Sequence, residues 1–308
     1  MSFKRKYIVA TRLSLLASTQ TEQTVKLLRE KNPDCEFEII KFKTHGDRLT
    51  DKPLTEFGGT GVFVKELENA LLEGIAHIAI HSLKDVPSIQ PEKLKIVSFP
   101  LRENPGDVVL TRNDQDFRDL PEDCIIGTGS PRRIVQIAQI KPNAKFKDIR
   151  GNIDTRIKKL DDGEYDAIVV AVAGLNRMSK HFDKVNLLSF AECIPAIGQG
   201  TIALECKSEN DRVIKILRSI NHADTEMAVM AERSFMKTIG GGCKFPLGAH
   251  ATIHKGHIMI DVMIGDLKTM KIIRFSDSAK TKEAEILGKT LAEKIMKECK
   301  RVGLDYHS

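Results

Sequence analysis

Short apolar runs and longer amphipathic stretches alternate along the first two thirds of the chain. Residues 7–10 form an apolar strand that ends at Thr11-Arg12. Ser14 then stands where it can cap a helix reaching about Lys31, and Asn32-Pro33 stops it. The pattern continues with a strand at 38–42, an amphipathic helix at 63–73, a buried-type strand at 78–80 and a strand at 96–100. Residues 101–107 read as a crossover into a second domain of similar pattern, with strands at 125–127, 145–149 and 167–173. The last of these is apolar throughout, the mark of a parallel strand covered on both faces. A strand at 201–205 and a helix at 211–220 follow.

Beyond Asn221-His222 the rhythm changes. A helix over about 224–238 leads into three alternating segments, 249–254, 258–264 and 271–276, and then a long amphipathic helix from Thr281 to about Arg301. That predicts a small α+β domain, a three-stranded antiparallel sheet with helices. The long stretch 44–61, rich in glycine and without hydrophobic period, reads as a mobile lid.

Composition narrows the field. The 308 residues suggest two or three domains, and 41% hydrophobic with 29% charged residues is the balance of an ordinary globular protein. The six cysteines include no CxxC pair and no zinc spacing, so they read as reduced thiols in a cytosolic-type compartment, with no metal. Arg12 interrupts the apolar run a signal peptide needs, and no apolar run is long enough to span a bilayer. The formal charge of +6 points to an anionic partner. Aromatic residues are only 5%, tryptophan is absent and the basic residues are scattered, which favours small polycarboxylates or phosphates over nucleic acid.

The candidate chemistry gathers at strand ends, where ligands bind in α/β sheets. His81-Ser82-Leu83-Lys84-Asp85-Val86-Pro87 follows the strand at 78–80. An adjacent Lys84-Asp85 is often only a solvated pair, but its place at a strand end favours function. After the strand at 125–127, Ser130 is a good N-cap and Pro131 a good first helical residue. Arg132 and Arg133 in that first turn oppose the helix dipole, which points to an anion site rather than to helix stability. Gly127-Thr128-Gly129 begins like a dinucleotide fingerprint, but Arg132 replaces the third glycine. Arginine recurs after several strands, at 12, 132, 133, 150, 156 and 177, as in a lined cleft. Gly240-Gly241-Gly242-Cys243-Lys244 presents a cysteine on a pliable loop beside a cation that favours the thiolate. The same cysteine is also compatible with a small apolar residue at a helix end.

Taken in order, the motifs ATRLS (10–14), GVFVKELENALLEG (61–74), HSLKDVP (81–87), PRR (131–133), RGNIDTR (150–156), EYDAIVVAVAGLNR (164–177), PAIGQG (195–200) and GGGCKFPLGA (240–249) closely resemble the hydroxymethylbilane synthase, or porphobilinogen deaminase, family. The resemblance spans about residues 6–300. It implies an α/β fold of two periplasmic-binding-protein-like domains with a cleft between them, plus the small α+β C-terminal domain. The expected division is 1–100 with 200–220, then 101–199, then 221–308.

The resemblance also implies a transferase that adds four porphobilinogen molecules head to tail, with loss of ammonia, to a dipyrromethane cofactor joined to Cys243 by a thioether. Hydrolysis then releases hydroxymethylbilane. Asp85 matches the family's catalytic carboxylate. Ser82, Lys84, Asp85, Ser130, Arg132, Arg133 and Arg150 match positions at the cofactor, and Arg12, Ser14, Arg150, Arg156, Arg177 and Gln199 positions at the substrate. The implied setting is a cytoplasmic monomer with porphobilinogen as its small-molecule partner and neither nucleic acid nor membrane. An arginine-lined site suits pyrroles that each carry an acetate and a propionate.

The chain departs from the family pattern at Thr60 and Glu56, where lysines are common, and at Gly129-Ser130-Pro131, where Ser-Ser-Leu is usual. A non-catalytic anion-binding protein of the same fold is the competing reading. It has no need of Cys243 on a glycine loop.

Overall fold

The structure is a computed structural model and describes residues 5–44, 61, 64–176, 185–240 and 245–305. In chain order, β1 (Arg5–Arg12), α1 (Leu15–Lys31), β2 (Cys35–Phe42), α2 (Lys65–Leu72), β3 (Ile78–Ser82) and β4 (Leu94–Ser98) come first. They are followed by β5 (Asp107–Thr111), β6 (Ile125–Gly127), α3 (Pro131–Ile137), β7 (Lys145–Lys147), α4 (Ile153–Asp161), β8 (Ala167–Ala171), α5 (Val172–Leu175) and β9 (Asn186–Leu187). Then come β10 (Ile202–Lys207), α6 (Asp211–Arg218), α7 (Ala223–Ile239), β11 (Leu247–His254), β12 (His257–Gly265), β13 (Ile272–Lys280) and α8 (Ala284–Val302). The expected lid lies outside the described residues, apart from Thr44 and Gly61.

The described residues of Met1–Thr50, Gly59–Glu103 and Thr201–Glu226 make one compact unit, and those of Asn104–Gly200 and Met227–Ser308 the other. The first unit holds a sheet in the order β2-β1-β3-β10-β4. There β1 runs parallel to β2 and β3, while β10 is antiparallel to both its neighbours. The second holds β7-β6-β8-β5-β9, with β6 parallel to β7 and β8 and with β5 antiparallel to β8 and β9. The two sheets share one plan: three parallel strands, a reversed fourth and an edge. In the first, the reversed strand arrives last, after the chain has built the second sheet. In the second, it arrives first. Both sheets are built by a chain that passes from one unit to the other and back.

Local signals explain the helices. The Ser14 side chain accepts from Ala17 N, and Asn32 closes α1 by donating its backbone N–H to Leu28 O. Two differences from the expected pattern are informative. Asp107–Thr111 is a strand, buried at all five positions, that begins where the expected crossover ends and that the apolar pattern left unassigned. The apolar run from Ala167 breaks at Ala171 into the one-turn α5, so β8 is shorter than its hydrophobicity suggests.

In the second unit, β11-β12-β13 form the antiparallel meander expected of the C-terminal part. Its inner face packs with α7 and α8 around Phe235, Ile260, Leu291 and Ile295. Gly288 lets α8 approach α7, because a Cβ there would run into the Ala231 carbonyl. Glu232 on α7 is buried, and its carboxylate accepts from Gly198 N at 2.7 Å and Ala251 N at 2.9 Å. That bond ties the 195–200 turn to the C-terminal sheet.

Candidate active site

In the first unit, the pairing of Val9 with Ile78 and Ala10 with Ala79 brings the carboxyl ends of β1 and β3 to one edge. Thr11-Arg12 leaves from one strand and Ser82 to Asp85 from the other. Leu83–Asp85 is a single 3-10 turn, anchored by Leu83 N donating to Thr201 O at 2.9 Å and closed by Val86 N donating to Leu83 O at 3.0 Å. The turn places Asp85 Oδ2 at 3.6 Å from Arg12 Nη1, both side chains remaining about a quarter open at 27% and 22%. Ser82 Oγ donates to Oε1 of the buried Gln20 at 3.0 Å. Lys84 is half-buried beside Asp85. The Ser14 hydroxyl is occupied as the cap of α1.

Behind this edge lies a polar group that the motifs did not announce. His81 Nε2 stands 3.0 Å from Glu205 Oε2, both side chains being fully buried, and Glu205 Oε1 has no hydrogen-bond partner among the described residues. Glu68 on α2 belongs to the same group. Burial, and then the Glu205 charge, push its carboxyl above the ordinary range, with His81 opposing.

In the second unit, Ser130 stands at the N-cap of α3, but its side chain makes no capping bond; its N–H donates to Thr128 Oγ1 at 3.2 Å. Arg132 and Arg133 are buried rather than splayed into solvent. Arg132 Nη1 donates to Asp107 Oδ2 at 2.7 Å and to Ile194 O at 2.8 Å. Arg133 Nη2 and Nε donate to Asp107 Oδ1 at 2.7 and 3.2 Å, and its Nη1 to Val169 O at 2.8 Å. Gln199 Nε2 adds a bond to the same Oδ1 at 2.9 Å.

The acid missing from the first turn of α3 is therefore supplied from β5. Burial favours a neutral Asp107, but the two guanidinium charges outweigh it and hold the carboxyl well below the usual range. Cys193 Sγ donates to Asp107 Oδ2 at 3.4 Å, and its thiol is pushed up to about 12, by burial first and then by that carboxylate. A signal for Asp107 does exist in the sequence: an acid abutting the apolar run Val108-Val109-Leu110.

Arg150 and Arg156 follow β7. Arg150 Nε donates to Asp148 Oδ2 at 2.9 Å, and Arg156 Nε donates to Gly151 O at 2.9 Å. Arg156 is pulled down to about 10, by desolvation first and then by the charges of Arg133 and Arg150. Arg133 and Arg150 thus both act on Arg156, with the Asp148 carboxylate opposing them. Arg177 and Cys243 lie outside the described residues. Among those described, no group of three or more His, Cys, Asp or Glu could hold a metal ion, and no helix is long and apolar enough to cross a membrane.

A family model described as porphobilinogen deaminase, dipyromethane cofactor binding domain, matches residues 7–215. A second, the porphobilinogen deaminase C-terminal domain, matches 227–297. The chain belongs to the porphobilinogen deaminase family. It is 38% identical over 293 residues to the porphobilinogen deaminase of Desulforamulus reducens, covering 95% of each chain. To that of Neisseria meningitidis it is 37% identical over 291 residues, covering 94% of each. Both the Arg12–Asp85 edge and the Asp107 cluster fall within the part matched by the porphobilinogen deaminase cofactor domain, and Cys243 falls within the matched C-terminal domain.

Proposed function

We propose that this chain is a hydroxymethylbilane synthase, joining four porphobilinogen molecules head to tail with loss of ammonia and releasing the linear tetrapyrrole by hydrolysis. Within this family, the observation that carries the reading is the Asp85 carboxylate, part-open on its 3-10 turn and 3.6 Å from Arg12 Nη1. The strand-end arginines Arg12, Arg150 and Arg156 suit a ligand bearing several carboxylates, such as a dipyrromethane with its acetates and propionates. When bound through Cys243, that group supplies a nucleophilic pyrrole α-carbon.

The chain's own residues supply the rest. Arg150, Arg156 and Arg12, with Arg177, hold carboxylates and so orient each pyrrole; each charge-assisted bond contributes about 1.5–3 kcal/mol before desolvation. In each addition the substrate's aminomethyl C–N bond breaks, and ammonia leaves with the electron pair. The resulting positive charge spreads to the pyrrole nitrogen, where the part-open carboxylate of Asp85 stabilises it. A new carbon–carbon bond forms, and the displaced α-proton passes to the same carboxylate. Arg12, 3.6 Å away, keeps Asp85 aimed from the strand edge. Arg132, Arg133 and Gln199 act from Asp107, Ser82 acts with Gln20, and Ser130 and Lys84 line the two turns. The reading of a cytoplasmic monomer with neither nucleic-acid nor membrane partner draws on the family and on the free cysteines, most of them buried.

The test is the denatured intact mass before and after porphobilinogen is added. An excess of two condensed pyrrole units mapping to Cys243, followed by a ladder of further additions, is the expected result. An unmodified mass and no ladder, in protein folded in the presence of substrate, would leave a carboxylate-binding protein without catalysis.

A further inference from the structure

Gly129 has no backbone reason to be glycine, because its φ lies outside the left-handed region. A side chain is excluded there by one group alone: a Cβ at 129 would collide with Asp148 Oδ1, with no other residue nearby. Asp148, whose side chain is 40% exposed, is held at its backbone and at its carboxylate. Its carbonyl accepts from the buried Tyr165 hydroxyl at 2.8 Å, and its Oδ2 accepts from Arg150 Nε at 2.9 Å. Tyr165 is seated in turn by Gly127, where a Cβ would meet its ring at 2.8 Å. Two glycines of one turn therefore make room for the two residues that fix Arg150. Arg150 is four-fifths covered, with 21% of its side chain exposed, and its Nη1 and Nη2 make no hydrogen bond to a described residue.

A guanidinium held by Nε keeps its plane, and its terminal edge remains able to meet a carboxylate with two parallel bonds. The carboxylate of Asp148 also offsets the effect of Arg133 and Arg150 on Arg156. We propose that Asp148 is the positioning residue for Arg150, and that Gly129 is the space this carboxylate requires. The pair accounts for glycine at 129, where the family pattern has serine. It rests on the proposed role of Arg150 as a ligand for substrate carboxylate. Because Asp148 Oδ1 is the end of a side chain and not backbone, a serine at 129 displaces the carboxylate from Arg150 and leaves the turn intact.

Four proteins test this: the natural chain, Gly129→Ser, Asp148→Ser and the double variant. Porphobilinogen consumption gives KM and kcat for each, and thermal unfolding gives the midpoints. Losing the carboxylate by displacement or by deletion has the same consequence. KM is therefore expected to rise about fivefold in all three variants, with kcat within about twofold, and the double variant is no worse than either single one. A Gly129→Ser protein with unchanged KM overturns the proposal, and so does a double variant whose losses multiply to about 25-fold. If the natural chain itself consumes no porphobilinogen, the functional reading has failed. The midpoints then decide the pair on their own: non-additive shifts support it and additive shifts overturn it.

Discussion

Gln199 Nε2 donates to Asp107 Oδ1 at 2.9 Å across 92 positions of sequence, joining the 195–200 turn to the head of β5. The same nitrogen donates to Pro105 O at 2.7 Å, and Gln199 sits between Gly198 and Gly200, which take left-handed φ values of 70° and 83°. Only glycine takes such angles without strain, so this turn can deliver an amide into a buried ion cluster. Asp107 thereby becomes the hub on which Arg132, Arg133 and Gln199 are all set.

Removing that hub strands two buried cations. Asp107→Ala is expected to cost about 3–5 kcal/mol in urea unfolding. The pH dependence has a definite sign. Asp107 is depressed in the folded chain, so its contribution is whole above the ordinary carboxylate pKa, near pH 4, and is lost progressively as pH falls below it. Asp107→Asn should flatten the stability profile below about pH 4. An unchanged acid slope would show that the pair with Arg132 and Arg133 contributes nothing there.

Asp85 stands part-open at the strand edge, so its replacement tests chemistry more than folding. Asp85→Asn is expected to lower turnover by at least ~10²-fold. Its thermal midpoint should stay near that of the natural protein. Near-normal turnover in the purified variant would remove Asp85 from the mechanism.

Glu68 makes the opposite pH prediction to Asp107. Its carboxyl is raised by burial and by Glu205, so ionising it costs stability as pH rises from the ordinary carboxylate value through the raised one. Glu68→Gln should therefore raise the thermal midpoint at pH 7 and leave it little changed at pH 4. A midpoint lowered at pH 7 alone would mean that Glu68 is needed as a charge.

The thiols provide an inexpensive count. Burial raises Cys124, and pushes Cys193 to about 12 and Cys206 and Cys299 to about 11. These four should resist alkylation in the native protein at neutral pH. Cys35, which is half-buried, and Cys243 are the expected labels, and cofactor attachment should remove the second. Fast labelling of any of the four would contradict the packing around it.

Much of the architecture was legible because it is written locally. The Ser14 cap and the Asn32-Pro33 stop act within a turn of α1, and the alternation of β11 to β13 is a period-two pattern any short window contains. The strand β5 was not legible, since Val108-Val109-Leu110, just past the expected crossover, is too short a run to mark a strand by itself. Its identity comes from pairing with β8 some sixty residues later.

The site divides in the same way. Taken alone, the sequence determined most of the element order, though not β5 or β9, and the strand-end arginines, the ordered motifs and through them the family, because each is a property of neighbouring residues. Only the tertiary structure decided that Asp107 neutralises Arg132 and Arg133, that Glu205 lies against His81, and that Asp148 occupies the space above Gly129. Those contacts bring together charges from different elements, and their energies depend on distance and on exclusion of water. Neither quantity exists until the sheets have formed.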